Sequence, residues 1–366
     1  MTNAIPVKDE DPRRQAVRAW IADHPDPSPR TLADAGLVAP QWPVPWGRDA
    51  DPESQLIIED ELQRAGIAVP LNPNGILFTG PSLLLGGTPE QQARYLPPML
   101  SGEELWCRLY SEPDVGTDLS AIRTRAERRG SVFVVNGWKL WAPLAQAAVL
   151  GGLLVRTNGQ PGDRDGLSYL ICPMDSPGLS VRPVRDLAGG YRFNELSFDN
   201  VEIPVANLVG EQDQGLAVAE SRHHFERVST ARGAAFGNGP TARDLVEHCA
   251  RRAGQVDPLV RPRLVEAYLD SEILRMMAIS IAESRSLGRD TGLAERARKI
   301  LLERHGRMLG MLACDVLGAG GMLVPGHAEA EEQLWHNAFL SGPSITIGAG
   351  TTEIQLEELG DSLLQV

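Results

Sequence analysis

What this chain lacks narrows what it does. No apolar run approaches the roughly 18 to 20 residues that cross a bilayer, and the opening MTNAIPVKDEDPRR has neither the basic start nor the apolar stretch of a signal peptide. A cytoplasmic protein with no membrane partner is expected. Cysteine is scarce: Cys107, Cys172, Cys249 and Cys314 stand far apart, a spacing that fits neither a metal motif nor a small disulfide framework. Buried free thiols are expected. Positive charge is also in deficit, with 35 Lys and Arg against 48 Asp and Glu and a formal net charge of -13. Such a chain repels a phosphate backbone, and its short basic clusters near Arg128 and Arg252 have no interleaved aromatics, so nucleic acid is not an expected partner. An anionic ligand remains open, because a site's field is set by its own residues. No Gly-x-Ser-x-Gly elbow is present, which argues against a hydrolase of that type. His223 and His224 are neighbours that a helix would point about 100° apart, with no carboxylate cluster beside them, so no metal site is expected.

What is present is length and pattern. A chain of 366 residues, 42% of them apolar, exceeds one ordinary core and calls for two or three packed units. From Pro12 to about Glu104 apolar residues recur three or four apart in RRQAVRAWIADH, PESQLIIEDELQRAG and TPEQQARYLPPML, the signature of helices. Thr88, Pro89 and Glu90 supply a cap, a first-turn proline and an early acid, and PQWPVPWG at 40 to 47 predicts an irregular crossover. Between Leu105 and about Gly210 the period falls to two, in SVFVVNGWKLW, GLSYLICPM, GLSVRPV and RFNELSFDNVEIP, which predicts a β domain. Asn136-Gly137 is its strongest local hairpin signal. From Asp213 onward the helical period returns, in GLAVAESRHHFERVSTARGAAFG, RPRLVEAYLDSEILRMMAISIAESRSLG and ARKILLERHGRMLGMLACDVLG, and about four long helices suggest a bundle. The glycines from Gly318 to Gly321 and the late GAGTTEIQ interrupt it where backbone could approach a ligand closely.

Several segments, in order, resemble the acyl-CoA dehydrogenases. LYSEPDVGTDL (109 to 119) looks like that family's flavin-side loop, GTPEQQARYLPPMLSGEE (87 to 104) like the stretch before it, and RTRAERRGSVFVVNGWKLW (123 to 141) like the hairpin after it. YRFNELSFDNVEIPVANLVGEQDQG (191 to 215) resembles the strand entering the last helices, and GAGTTEIQ (348 to 355) the late loop beside the flavin ring. The resemblance covers nearly the whole chain. It implies an α+β fold in three parts: an N-terminal helical domain at 1–104, a middle β-barrel or sandwich domain at 105–210, and a C-terminal four-helix bundle at 211–366. It implies FAD as cofactor, an acyl-CoA substrate, an electron-transferring flavoprotein as oxidant, and a homo- or hetero-oligomer.

Family members remove a proton α to a thioester carbonyl with a glutamate while hydride leaves the β carbon for the flavin. A carboxylate does this when a dry pocket raises its basicity, and the enolate needs hydrogen-bond donors. Where many relatives carry the base in the late loop, this chain has Ala349. A second group, including steroid side-chain enzymes, carries it on the first long helix of the bundle, immediately before an arginine. That place reads His224-Phe225-Glu226-Arg227, so the resemblance makes Glu226 the candidate base with Arg227 as its positioning neighbour. Without that register, a helical glutamate is usually a solvated one. The same resemblance gives Ala349 a backbone N–H donor to the thioester oxygen, and Phe225 and Gly350 a place beside the substrate. It gives Ser111, Thr117, Trp141 and Thr351 contacts to the flavin. Gly318 and Gly321 fall where relatives place a glycine-rich loop near a neighbouring subunit's cofactor.

Three departures accompany the match. Pro143 stands where relatives have a Thr or Ser bonding the flavin N5; ARRAGQV (250 to 256) replaces an Arg-x-x-Phe-Gly segment; and the tail reads LEELGDSLLQV. Family heterotetramers made of two different chains tolerate such losses, one partner completing the other's flavin sites. Two expectations follow: a catalytic dehydrogenase, favoured by Glu226, or an accessory chain that completes a partner's site, favoured by Pro143. A carrier-protein thioester in place of CoA is a further, weaker expectation.

Overall fold

The structure, a computed structural model, describes residues 9–220, 240–251, 256–322, 330–348 and 350–364. The chain divides into two compact units, Met1–Arg227 and Val228–Val366.

The first unit begins with helices α1 (Pro12–Asp23), α2 (Pro29–Asp34) and α3 (Pro52–Arg64). All three start by one local device: Asp11, Ser28 and Asp51 accept from first-turn amides at 2.8, 3.1 and 2.7 Å, with proline at the head of the helix. A π-helical segment, Gly75–Thr79, runs into α4 (Gly80–Gly86), and α5 (Pro89–Leu100) follows. The Thr88 cap is half of a reciprocal box: its hydroxyl accepts from the Gln91 N–H at 3.2 Å, while the Gln91 side-chain Oε1 accepts from the Thr88 N–H at 3.1 Å.

Eight strands follow: β1 (Trp106–Leu109), β2 (Arg125–Arg129), β3 (Val132–Pro143), β4 (Leu150–Arg156), β5 (Leu167–Pro173), β6 (Leu179–Val184), β7 (Phe193–Pro204) and β8 (Leu208–Val209). They form one sheet in the order β6-β7-β3-β2-β4-β5-β8, with β1 pairing parallel to β4 off that path. Helix α6 (Gly215–Glu220) packs against β5 and β4.

The period of two sorts side chains between two cores. Trp106 and Tyr110, Leu150 and Leu154, and Leu167, Tyr169 and Ile171 join the helical layer, packing with Leu32, Trp42, Leu83 and Leu96. The intervening Cys107, Leu109, Leu153, Val155, Leu170 and Cys172 face a second core closed by Phe133, Val135, Leu196 and Phe198. Strand β4 is buried at every residue, as a strand covered on both faces must be.

Asn136-Gly137 is not a hairpin turn. The β2–β3 hairpin closes at Gly130, where Arg129 pairs with Val132, and β3 runs through 136 and 137 with a register shift against β7. Gly137 takes a φ of +145°, and a Cβ there would meet Thr124 Oγ1 at 2.6 Å. The glycine marks a bulge under a crossing side chain, a use that shares its local sequence with a tight turn.

The second unit holds α7 (Ala242–Arg251), α8 (Arg261–Ser286), α9 (Gly292–Leu317), a 3-10 turn Gly318–Met322, α10 (Ala330–Ile345) and α11 (Thr352–Leu364). Leu245, Leu264, Leu309, Leu312 and Trp335 lie in its core. The helices expected from RPRLVEAYLDSEIL and ARKILLERHGRMLG lie within α8 and α9. All four cysteines are free thiols; Cys107, Cys172 and Cys249 are buried and Cys314 is half-buried. Among the described residues no helix is long and apolar enough to cross a membrane, and no cluster of His, Cys, Asp and Glu is arranged to hold a metal.

Candidate active site

In the first unit the loop after β1 is built around one buried carboxylate. Glu112 accepts from the Arg123 N–H at 2.8 Å, the Thr124 N–H at 2.9 Å and the Lys139 ammonium at 2.9 Å. Its backbone closes a tight turn with Val115, through reciprocal bonds of 2.8 and 3.1 Å. Burial opposes its charge, but Lys139 and the hydrogen bonds outweigh that, and the carboxyl sits below the usual carboxylate range. Lys139 has no solvent exposure. Burial lowers its ammonium to about 8 against the opposing pull of Glu112.

The far side of the loop is anchored by a second buried cation. Arg156 donates to the carbonyls of Ile122 at 3.0 Å, Asn158 at 3.2 Å, Asp165 at 3.1 Å and Asp163 at 3.1 Å, and closely to that of Ser120. A guanidinium that spends its donors on carbonyls fixes chain path, as its fork of donors allows. Asp118 caps the short Leu119–Ala121 turn through the Ser120 N–H at 2.9 Å.

Strand β3 meets this loop from the other side. The Leu140 N–H donates to the Ser111 carbonyl at 2.9 Å and the Lys139 ammonium to the Tyr110 carbonyl at 2.9 Å. Between Lys139 and Ala142 the register with β7 shifts, and Trp141 takes a φ of +61°, uncommon for a bulky residue and a mark of functional positions. Its ring is 52% exposed and meets Phe193 edge-on at 5.9 Å, so it is displayed rather than packed in the core. Ser111 and Trp141, separated by 29 intervening residues, therefore sit at one junction; Thr117 lies exposed farther round the loop. Pro143 ends β3 and lends its carbonyl to Asn74 Nδ2 at 3.2 Å.

Three family models match the chain: the acyl-CoA dehydrogenase N-terminal domain over residues 9–103, the middle domain over 107–201 and the C-terminal domain over 213–364. The chain belongs to the acyl-CoA dehydrogenase family. It is 34% identical over 334 residues to acyl-CoA dehydrogenase IpdE1 of Mycobacterium tuberculosis, covering 91% of this chain and 86% of that one. It is also 34% identical over 335 residues to acyl-CoA dehydrogenase FadE34 of the same organism, where the match covers 91% of this chain and spans 45% of the relative's length. Among solved structures, the ChsE4-ChsE5 complex from Mycobacterium tuberculosis matches with a TM-score of 0.79 at 29% identity, covering 100% of this chain and 99% of that one. Membership makes the chain a flavin oxidoreductase by family.

The remaining acyl-CoA dehydrogenase positions divide between the second unit and residues outside the described ones. Gly318 ends α9 with a φ of +58°, and Gly321 lies in the 3-10 turn that follows. Gly350 has a φ of +93°, open to glycine alone at low cost, and the Thr351 hydroxyl accepts from the Ile354 N–H at 3.3 Å, opening α11. Phe225, Glu226, Arg227 and Ala349 lie outside the described residues. The sequence reading missed Glu112, Lys139 and Arg156. Arg156 closes the wholly buried β4, and Lys139 is buried beside the exposed Trp138.

Proposed function

We propose that this chain carries out FAD-dependent α,β-dehydrogenation of an acyl-CoA thioester. The observation that supports it most is the junction of β1 and β3, where Ser111 is half-buried and Trp141 is displayed at positive φ on backbone that Lys139 and Leu140 hold fixed. Such a rigid, partly open edge fits a planar ring that needs both stacking surface and polar contacts. Ser111, Thr117 and Trp141 would hold the flavin from this unit; Gly318 and Gly321 would approach the flavin of a neighbouring chain, and Thr351 would be a late-loop flavin contact. A bound flavin supplies the hydride acceptor. Glu226 removes the α proton, with Arg227 keeping its carboxylate oriented and the Ala349 N–H stabilising the developing oxyanion. Phe225 and Gly350 line the acyl side. An electron-transferring flavoprotein reoxidises the enzyme in the cytoplasm.

The partner is a second acyl-CoA dehydrogenase chain, or a second copy. Val265, Leu269, Ile273 and Met276 share one face of α8 and are all about half-exposed or more, an apolar stripe of the kind that marks a protein interface. The structural relative from Mycobacterium tuberculosis is the ChsE4-ChsE5 complex.

The test is purification with and without a co-expressed homologous chain, followed by flavin spectra and assay for enoyl thioester. Yellow protein that converts a panel of acyl-CoA thioesters supports the reading; colourless protein under both conditions refutes it. A specific observation favours a second reading, in which the chain is accessory. Pro143 has no N–H or hydroxyl, and its carbonyl is engaged by Asn74. That reading expects colourless protein alone, flavin only in the complex, and FAD captured by Pro143→Thr.

A further inference from the structure

Two consecutive residues of β3 hold two consecutive carbonyls of the loop after β1. Leu140 donates its N–H to the Ser111 carbonyl at 2.9 Å, and the Lys139 ammonium donates to the Tyr110 carbonyl at 2.9 Å. The Tyr110 carbonyl and the Ser111 N–H belong to the same peptide group. That group is trans, the one cis bond among the described residues being at Val44-Pro45, and a trans peptide points its C=O and N–H in opposite directions. With the ammonium at the oxygen end, the N–H end faces away from Lys139, and Ser111 is half-exposed. Among the described residues nothing accepts from that N–H.

We propose that Lys139 acts as an electrostatic positioning residue, polarising the Tyr110–Ser111 peptide so that the Ser111 N–H becomes a strengthened donor to the electron-rich edge of the bound flavin. This rests on the dehydrogenase reading and adds a tuning device to it. Hydrogen bonds with an ionised partner are roughly twice as strong as neutral ones, and a polarised chain passes part of that gain to the next bond, about 10–30%. Reduction pushes two electrons into the ring, so a stronger donor favours the reduced form over the oxidised one. Three features make the charge effective. Lys139 is fully buried, so water does not screen it. Glu112 holds the ammonium at 2.9 Å and is itself fixed by two backbone N–H groups. Leu140 fixes the adjoining carbonyl, so the peptide plane does not rotate.

The experiment uses the protein in its flavin-bound form, with the partner chain if one is required. Lys139→Met and the paired Glu112→Gln/Lys139→Met variant are compared with the wild type for FAD affinity and two-electron midpoint potential at saturating FAD. The paired variant removes both charges together, which a fold tolerates far better than one stranded charge. The expected result is that both variants lose about two- to fourfold in preference for reduced over oxidised FAD, a midpoint lower by about 10–20 mV, whichever of them folds well enough to measure. A merely structural role would change affinity for both redox forms alike and leave the midpoint in place. An unchanged midpoint in the paired variant overturns the role of Lys139 alone. Wild-type protein that takes up no FAD under any condition instead overturns the dehydrogenase reading on which it rests.

Discussion

Replacing Glu112 with glutamine removes one proton-free oxygen from a site that needs it. The carboxylate accepts three hydrogen bonds of 2.8, 2.9 and 2.9 Å, two from backbone and one from Lys139. Glutamine keeps one acceptor oxygen and puts an NH2 group against donors, so at least one donor loses its partner. The larger loss is electrostatic, because Lys139 is then a fully buried cation without a counter-charge. Stranding one member of a buried pair costs about 3–5 kcal/mol. Lys139 limits the damage by releasing its proton, since its ammonium already sits at about 8, so the lower end of that range is expected near pH 7. The assay is urea unfolding followed by tryptophan fluorescence, alongside Lys139→Met and the paired variant. Glu112→Gln should lose about 3 kcal/mol, and the pair should recover most of it through a coupling energy of about 2 kcal/mol. A single variant within about 0.5 kcal/mol of wild type would refute the view that this pair organises the loop.

Further outcomes follow from the same geometry. Because burial lowers the Lys139 pKa from 10.5 to about 8, the unfolded chain binds more protons between those values, so this residue's contribution to stability rises with pH across that window; 13C-lysine NMR should show one resonance titrating near 8. Glu112 is held below its ordinary value, so its contribution is present above pH 4.5 and is lost as pH falls through the folded value, read by acid unfolding of wild type against Glu112→Gln. Gly152→Ala would set a Cβ 2.1 Å from the Tyr169 hydroxyl and 2.8 Å from Thr79 Oγ1; a loss of about 1–3 kcal/mol is expected in thermal melts, and an unshifted melt would show that the helical layer yields at this point. Thr88→Ala removes one half of the α5 box and should cost about 1 kcal/mol, measured by denaturant midpoint.

Legibility in the sequence tracked how local the cause was. The start of α5 was readable because Thr88 and Pro89 act within one turn, and β5, β6 and β7 were readable because their side chains alternate between the two faces of the sheet. Ser111 and Trp141 were singled out by motif register, and one backbone bond, from Leu140 to Ser111, joins their segments. Asn136-Gly137 was misread because the choice between turn and bulge is made by β7 and Thr124, far away in sequence. Lys139 and Arg156 were missed for the same reason: a lysine inside VFVVNGWKLW reads as the solvent face of a strand until Glu112 and the Tyr110 carbonyl are placed beside it. The helix cap and the strand period belong to the chain's local chemistry; the buried cations belong to the tertiary fold.

The base assignment is tested most directly by the anaerobic half-reaction. Flavin-loaded wild type, mixed with a panel of acyl-CoA thioesters, should bleach at the flavin absorbance maximum with at least one of them, whereas flavin-loaded Glu226→Gln should bleach at least about 10²-fold more slowly with the same thioester. Equal rates in the two proteins would contradict the account, since the α proton would then be leaving by another route.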